Sequence, residues 1–243
     1  MSGHKGSGDN SSKCESREVE VKLRVPDPEE LRKNLRRLGA RRLSRVWERN
    51  TLYDTPKRRF RKKGLLLRLR VMTPLEGGGQ ASGLLTYKGP SLRLEELKGG
   101  QKPPRRPAAP YQHGTGPVRG QRYKVREEVE VGVSHPEKLR ELLAAVGLVA
   151  AFRYEKVRTS YVLPRLGGLK LELDETPIGT FVELEGAPRQ IDRAARLLGY
   201  KPAKYITSSY LALHLDACRR RGRPKADMVF PKGRRTLLLR RKR

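Results

Sequence analysis

Two carboxylates and one ammonium group alternate with apolar side chains near the start of the chain. Glu18, Glu20 and Lys22 stand two residues apart, with Val19 and Val21 between them. In a β-strand this spacing places the three charges on one face and both valines on the other. Carboxylate oxygens are ligands for hard cations such as Mg²⁺ or Mn²⁺, and lysine binds phosphate oxygens. The segment therefore predicts a strand whose charged face can support metal-assisted phosphate chemistry.

Later segments repeat this alternation, with cations and carboxylates mixed. The cations are Arg68, Arg70, Lys88, Arg126, Lys156 and Arg158, and the carboxylates are Glu172, Asp174, Glu183 and Glu185. For any single strand the simplest interpretation is one solvated face. The apolar stripes of the predicted helices need a partner, however, and the apolar strand faces would supply it. The charged faces would then meet inside a closed barrel, where buried charges are costly and are kept for a function.

Eight strands and four helices are predicted to position these side chains. The strands lie near 17–25, 43–54, 64–72, 83–88, 122–133, 152–163, 168–174 and 179–186, and the helices near 28–38, 136–146, 189–198 and 207–218. The order strand, helix, three strands occurs twice, and REVEVKLRV and REEVEVGV open the two halves. This predicts an α+β fold in which about eight antiparallel strands close around a ligand site.

The composition restricts the classes of partner and of site. A formal net charge of +29 favours polyanions: nucleotides, polyphosphate, nucleic acid or an anionic membrane surface. The chain contains neither GxxxxGK[ST] nor GxGxxG, which excludes a P-loop and a Rossmann site. The four histidines are scattered, which makes a zinc site improbable.

Cysteine content and hydropathy predict a cytoplasmic protein without a membrane span. Cys14 and Cys218 are too few for a disulfide framework, which favours free thiols in a reducing compartment. No apolar run approaches the ~18 residues that a transmembrane helix needs. The Gly/Ser-rich N-terminus lacks the apolar core of a signal peptide.

Three segments are expected to lie outside the main domain or to interrupt it. Residues 1–16 are small and polar and predict a disordered N-terminal tail. Residues 17–218 form the domain, with a mobile Pro/Gly-rich loop at 99–121. Residues 219–243 hold 12 Lys and Arg residues and a single acidic residue, which predicts a solvated basic tail. Non-specific contact of this tail with nucleic acid or polyphosphate would be sensitive to salt.

An ordered set of motifs resembles the CYTH domain of the triphosphate tunnel metalloenzyme superfamily. The ExExK signature of that family stands here as Glu18, Glu20 and Lys22. The motifs TLYDTP, LRLRV, TYKGP, VREEVEV, YEKVRTSY, LELDETPIGTFVELEG and SYLALHL follow, and their order is similar to that of the class IV adenylate cyclase branch. The resemblance covers about residues 17–216. It implies a closed eight-stranded antiparallel tunnel with helices outside.

The resemblance also implies roles for individual residues. Glu18, Glu20, Asp174 and Glu183 would bind Mg²⁺ or Mn²⁺, or orient metal-bound water, with Glu172 and Glu185 assisting. Lys22, Arg68, Arg70, Lys88, Arg126, Lys156 and Arg158 would bind the triphosphate, and Glu18, Glu20, Lys22 and Lys88 would be catalytic. Arg24, Lys124 and Lys170 are additional cations that the motifs of the family do not include. For each of them two interpretations stay open, a solvated charge at the rim of the barrel and a functional role.

Three functions remain open from the sequence. A class IV adenylate cyclase would convert ATP to cyclic AMP and pyrophosphate. A triphosphatase would hydrolyse inorganic tripolyphosphate, thiamine triphosphate or a nucleoside triphosphate. A non-catalytic protein would bind a polyanion or nucleic acid through the basic tail. The motifs favour the cyclase. A homodimer is compatible with such a barrel, and the sequence does not decide the oligomeric state.

Overall fold

The computed structural model of this 243-residue chain describes residues 16–92 and 121–240. The predicted N-terminal tail, apart from Ser16, lies outside the described residues. So do residues 99–120 of the predicted loop and the last three residues of the basic tail.

Eight antiparallel strands form a closed barrel. They are β1 (Ser16–Val25), β2 (Arg41–Asp54), β3 (Leu66–Pro74), β4 (Ser82–Leu92), β5 (Lys124–Val133), β6 (Val149–Leu163), β7 (Leu169–Thr176) and β8 (Gly179–Glu185). Their order around the barrel is β1-β5-β4-β3-β2-β6-β7-β8, and β8 pairs with β1 to complete the closure. The predicted fold class is confirmed.

The strand pairing is the same in both halves of the chain. In each half the second strand pairs with the third and the third with the fourth. The fourth strand of each half pairs with the first strand of the other half. The two first strands pair with each other, as do the two second strands. Exchange of the halves therefore leaves the pairing unchanged, which confirms the two β-α-β-β-β-like halves.

Within residues 16–92 and 121–240, six α-helices accompany the barrel. They are α1 (Pro28–Arg37), α2 (Arg59–Lys62), α3 (Pro136–Ala145), α4 (Pro188–Leu197), α5 (Tyr210–Arg220) and α6 (Lys232–Arg240). The sequence predicts α1, α3, α4 and α5, whereas α2 and α6 are additional. A proline in the first turn favours the start of α1, α3 and α4, because its fixed φ suits a helix and its missing N–H needs no partner there. Glycines at positive φ follow their ends: Gly39, Gly147 and Gly199.

The main apolar core lies outside the barrel, beneath α1 and α4. Val21 and Leu23 of β1 alternate with charged residues and are completely buried. They belong to a cluster that also contains Leu31 and Leu35 of α1 and Ile191, Ala194 and Ala195 of α4. Because the helices cover the apolar face of the strands, the charged face is turned into the barrel.

Part of the basic tail pairs with an exposed edge of β6. β7 pairs with β6 only from Val157 onward, which leaves the preceding backbone groups of β6 without a partner from β7. The Met228 N–H donates to the Arg153 carbonyl at 2.9 Å, and the Glu155 N–H donates to the Met228 carbonyl at 2.9 Å. The Arg153 N–H donates to the Asp227 carboxylate at 2.8 Å. The tail thus satisfies strand-edge groups, whereas the sequence predicts a solvated segment.

Two apolar residues hold this segment against the barrel. Met228 is 1% exposed and Phe230 is 2% exposed. Phe230 packs with Trp47, Leu75 and Val157. The basic composition of the tail hides this contact from sequence reasoning, because Met228, Val229 and Phe230 form an apolar run of only three residues, which is too short to show a periodicity.

Among residues 16–92 and 121–240, no helix combines the length and the apolar character that crossing a membrane requires.

We expect Phe230→Ala to lower the free energy of unfolding by about 3–5 kcal/mol, because it removes a buried aromatic side chain and leaves a cavity. Urea denaturation followed by circular dichroism measures the change. Leu237→Ala is the matched control, because Leu237 is 65% exposed on α6. Its effect should stay within about 0.5 kcal/mol. Equal stability of the Phe230→Ala variant and the native protein would show that the tail does not pack on β6.

Candidate active site

Strand register brings the charged faces of β1, β5 and β8 together inside the barrel. Glu20 lies opposite Glu185, and Lys22 lies opposite Glu183, across the pair β1–β8. Glu18 lies opposite Arg126 across the pair β1–β5. Directly opposite residues of adjacent strands project to the same face. Glu18, Glu20 and Lys22 stand two residues apart, as the sequence analysis noted, and therefore all three lie in the interior.

The carboxylates of β1 and β8 are paired with lysines. Lys22 Nζ lies 2.6 Å from Glu183 Oε1. Lys88 Nζ forms an ion pair with Glu18 and a second one, at 3.0 Å, with Glu128. Lys124 Nζ forms an ion pair with Glu20. Lys124 is therefore an interior residue rather than a rim charge.

Asp174 is the centre of the most buried cluster. It is 0% exposed, and Arg158 donates to both of its oxygens at 2.7 Å. Lys156 Nζ donates to it at 2.9 Å, and the Tyr210 hydroxyl donates at 2.7 Å. Arg158 also contacts Glu183. Side chains of β6 and α5 thus converge on this one carboxylate of β7.

Glu48 of β2 forms a second buried centre that sequence reasoning missed. Its carboxylate lies 3.4 Å from Lys156, 3.5 Å from Arg70 and 3.8 Å from Arg158, and the residue is 1% exposed. Asn50, two residues later, accepts from Arg70 at 3.4 Å. The spacing of two between Glu48 and Asn50 indicates that both side chains lie on the same face of β2. This indication is weaker than the one in β1, because Asn50 is uncharged.

Arg68 is held by side chains of β4, β5 and β6. Its guanidinium donates to the Thr86 hydroxyl at 3.2 Å and to the Tyr154 hydroxyl at 3.3 Å. It lies 3.8 Å from Glu128 and 3.7 Å from Glu130. Because these ion pairs are long, neither carboxylate occupies the guanidinium of Arg68 at hydrogen-bond distance. An anionic ligand is therefore able to bind this guanidinium directly.

Two predicted site residues have other contacts as well. Arg126 is buried, and its guanidinium donates to the backbone carbonyls of Gly89 and Gly64, both at 2.6 Å. It therefore braces the end of β4 in this structure. Glu172 accepts from the Ser160 hydroxyl at 2.6 Å and lies 3.7 Å from Arg158 and 3.6 Å from Lys170.

The remaining extra cations lie at the rim. Lys170 is half exposed and pairs with Glu185 at 3.0 Å. Arg24 is exposed and lies over the Phe181 ring, 4.7 Å from its centroid. Phe181 belongs to an aromatic cluster with Phe152, Tyr154 and Tyr210, which closes off the charged layer near Arg24.

Pairing keeps the interior groups ionised despite burial. Burial lowers the pKa of Lys22, but Glu183 and Glu20 outweigh it and raise that pKa above its ordinary value. Burial raises the pKa of Glu48, but Arg70 and Lys156 outweigh it and lower the pKa. The pKa of Glu183 is well below its ordinary value because Lys22 and Lys156 outweigh burial in the same way.

Other interior groups are shifted by their neighbours. Burial raises the pKa of Tyr210, and the Asp174 carboxylate raises it further, so Tyr210 stays protonated and donates. Burial raises the pKa of Tyr154, but Arg68 outweighs it and lowers that pKa. Burial lowers the pKa of Lys124; Glu20 opposes this effect, and Lys88 lowers the pKa further.

The carboxylates suit a hard cation in their chemistry. Among the described residues no group of three or more Asp, Glu, His or Cys side chains is already arranged as a metal site. Burial raises the pKa of Glu185, and the neighbouring carboxylates Glu18 and Glu20 raise it as well, although Lys170 opposes them. A divalent cation is the kind of ligand that would relieve this repulsion among carboxylate oxygens.

The pKa shifts predict a stability window. Unfolded glutamate, with a pKa near 4.3, binds protons that folded Glu48 and Glu183 do not, so stability is present above about pH 4.3 and is lost as the pH falls further. The pKa of Lys22 is raised, so its contribution is present below about pH 10.4 and is lost as the pH rises beyond that value. Thermal unfolding from pH 2 to pH 12, a range chosen to bracket about 4.3 and 10.4, measures both limits.

Glu48→Gln tests the origin of the acid limit. We expect it to lower the free energy of unfolding at neutral pH by about 3–5 kcal/mol, because it leaves buried cations under-compensated. The loss of stability on acidification should also become shallower. Glu137→Gln is the control, because Glu137 is 73% exposed on α3; it should change stability by less than about 0.5 kcal/mol. An unchanged acid slope in Glu48→Gln would contradict this electrostatic account.

Comparison with known proteins shows what this chain is similar to. Residues 16–104 match the model of the CYTH domain. A Methanocaldococcus jannaschii protein named "Putative adenylate cyclase" is 23% identical over 182 residues, which are 74% of this chain and 83% of that protein.

Solved structures share the fold. A "putative adenylate cyclase" of Vibrio parahaemolyticus matches with a TM-score of 0.59 and 18% identity, over 81% of this chain and 96% of that one. HpAC1 of Hippeastrum, a "putative adenylyl cyclase" described as having a dominant triphosphatase activity, matches with a TM-score of 0.53 and 20% identity, over 85% and 97%. The match of residues 16–104 to the CYTH domain covers part of this chain, and the solved structures are similar to its closed eight-stranded barrel.

Proposed function

We propose that this protein is a metal-dependent enzyme that binds a triphosphate inside the barrel. The observation that supports the proposal is the interior itself, in which buried cations and buried carboxylates are paired across strands. Lys156 and Asp174 are 2% and 0% exposed. Such groups are expensive to bury and contribute little net stability as pairs. A triphosphate and a divalent cation carry the two kinds of charge that these groups would bind.

The cations of the interior would bind the phosphate oxygens. Lys22, Arg68, Arg70, Lys88, Lys156 and Arg158 are the residues proposed for this role, with Arg126 as a further candidate. Arginine suits it because its planar fork holds two phosphate oxygens at once. Because carboxylates already hold several of these groups in place, part of the entropy cost of ordering long side chains is met before substrate arrives.

The carboxylates would hold Mg²⁺ or Mn²⁺. Glu18, Glu20, Asp174 and Glu183 are proposed to bind the cation or to orient the water bound to it, with Glu172 and Glu185 assisting. When bound, the metal supplies charge neutralisation and orients the nucleophile. Glu18, Glu20, Lys22 and Lys88 are proposed as catalytic, and in this structure Lys22 contacts Glu183 and Lys88 contacts Glu18.

Class IV adenylate cyclase chemistry is the first candidate reaction. The 3′-hydroxyl oxygen of ATP would attack the α-phosphorus and lose its proton. The bond between the α-phosphorus and the bridging oxygen would break, and pyrophosphate would leave as cyclic AMP forms. Lys22, Lys156 and Arg158 would stabilise the charge that develops on the leaving pyrophosphate. The relatives named as adenylate cyclases support this candidate.

Hydrolysis of a triphosphate is the second candidate. The oxygen of water would attack the terminal phosphorus and lose its proton. The bond from that phosphorus to the bridging oxygen would break, so that the diphosphate part leaves and orthophosphate forms. The same interior serves this reaction, since only the phosphorus atom in line with the nucleophile differs. The triphosphatase activity described for HpAC1 supports it. The candidate substrates are inorganic tripolyphosphate, thiamine triphosphate and nucleoside triphosphates.

A product assay separates the two reactions. The full chain is incubated with Mg²⁺ or Mn²⁺ and, in parallel, with ATP and with tripolyphosphate. We expect cyclic AMP and pyrophosphate in equal amounts from ATP. Orthophosphate without cyclic AMP would establish the triphosphatase instead. Absence of turnover with each of these triphosphates, and with thiamine triphosphate, would reject the enzymatic proposal.

Glu20→Gln tests the metal role with little change in shape. We expect kcat/KM to fall by about 10²–10³-fold, the range found when one preorganised charge-stabilising group is lost. The circular dichroism spectrum should be unchanged. Glu141→Gln on the exposed side of α3 is the matched control and should retain native activity. Native turnover in Glu20→Gln would reject the proposed metal ligand.

The other expected properties stay predictions. They are the cytoplasmic location, a homodimer, and salt-sensitive contact of the basic tail with nucleic acid or polyphosphate. A non-catalytic polyanion binder is the alternative function, and the product assay tests it together with the enzyme.

A further inference from the structure

A cavity rich in arginine lies on the outer side of the barrel. It has a volume of about 590 Å³ and is formed by α1 together with β2, β6 and β7. The residues that carry the argument are Arg32, Arg36, Arg42, Arg45, Tyr161 and Glu175, which all line it. Cavities that bind small ligands have volumes of about 300–1,000 Å³, so an ion of several atoms fits.

This cavity is separate from the barrel interior. Glu175 directly follows Asp174 on β7, and neighbouring residues of a strand face opposite sides of the sheet. Arg45 lies opposite Thr159 across β2 and β6, and both line the cavity. Because Asp174 and Arg158 contact each other within the barrel, Glu175 and Thr159 face away from the candidate active site.

Three guanidinium groups converge on one carboxylate in this cavity. Glu175 lies 3.1 Å from Arg32, 3.2 Å from Arg45 and 3.4 Å from Arg234 of α6. Arg32 has a second partner in Glu29. One shared carboxylate leaves positive charge uncompensated in a concave, partly desolvated place, where the potential of several cations adds.

Two cavity arginines have unused binding capacity. Arg45 Nε is buried and has no hydrogen-bond partner among the described residues. Such a buried donor is costly, and natural proteins satisfy the great majority of them. Arg36 has no ion pair within the part of the chain that the structure describes. Arg42, in contrast, is held by Glu76 at 2.7 Å.

We propose that this outer cavity is a second anion site, which binds inorganic oligophosphate such as tripolyphosphate. Guanidinium groups bind phosphate oxygens in pairs, and an oligophosphate offers several such edges to Arg32, Arg36 and Arg45. Tyr161 is only 9% exposed, so its ring offers no free face on which a nucleobase could stack. The site therefore favours the phosphate chain itself over a nucleotide.

Calorimetric titration of the full chain with tripolyphosphate, at fixed ionic strength and without divalent metal, tests the proposal. We expect two sites in the native protein, one in the barrel and one in the cavity. Arg32→Ala combined with Arg45→Ala should remove one of them. Arg219→Ala combined with Arg220→Ala removes the same charge from exposed arginines paired with Asp216, and should leave both sites.

Two single variants keep the test decisive if the double variant does not fold. Arg36→Glu, on an exposed position of α1, should weaken the cavity site at least about tenfold, since a charged hydrogen bond is lost and repulsion is added. Glu175→Gln removes the carboxylate that competes for the same guanidiniums, so the affinity should rise. A damaged cavity would not give this increase, and an unchanged or lower affinity would contradict the site.

The stoichiometry separates this proposal from the proposed function. A single site that Arg36→Glu weakens would support the cavity site and would show that the barrel does not bind tripolyphosphate without metal; the product assay with Mg²⁺ or Mn²⁺ tests the proposed function separately. A single site that Arg36→Glu leaves unchanged would overturn the cavity site. Equal losses in the cavity double variant and in the Arg219→Ala, Arg220→Ala control would also overturn it, because general attraction to a basic protein would then explain the binding.

Discussion

The burial of charge is the constraint on which the described structure depends. A buried ion that loses its partner costs several kcal/mol, and Glu48, Lys156 and Asp174 are all almost completely buried. Each of them contacts an opposite charge that a neighbouring strand supplies. The barrel has to close, because only closure brings β1 and β8 into the register that gives Lys22 its partner Glu183. With charges inside, the apolar faces point outward, and α1 and α4 are needed to cover them.

The same pairing prepares the interior for an ionic ligand. Desolvation of Lys22 and Arg158 already occurs when the protein folds, and Glu183 contacts both of them. Phosphate oxygens could replace Glu183 as their partner, which would leave that carboxylate to a divalent cation. Each group would then exchange one oppositely charged partner for another. Binding in such an interior requires little reorganisation, and that is the condition under which fixed charges stabilise a transition state most effectively.

Alternation carries most of the information that the sequence holds about this fold. Charged and apolar residues alternate strictly in β1, and the repeat of strand and helix order predicts the two halves. The alternation pattern does not reveal contacts between residues that are far apart in the sequence. Tyr210 on α5 reaches Asp174 on β7, and no spacing along the chain indicates that hydrogen bond. Met228 is buried because the N-terminal part of β6 extends beyond β7, a mismatch that appears only when both strands are placed.

Strands β6 and β7 line the barrel interior with one face and the arginine-lined cavity with the other, and the sequence motifs alone do not indicate the second face. Asp174 belongs to the interior and Glu175 to the arginine-lined cavity, and they are consecutive residues. Each is held by arginines from other elements, Asp174 by Arg158 and Glu175 by Arg32 and Arg45. Because consecutive residues of a strand face opposite sides of the sheet, the same short stretch of β7 supplies one carboxylate to each side. Both sides use the same arrangement, in which arginines of neighbouring elements surround one buried or partly buried carboxylate.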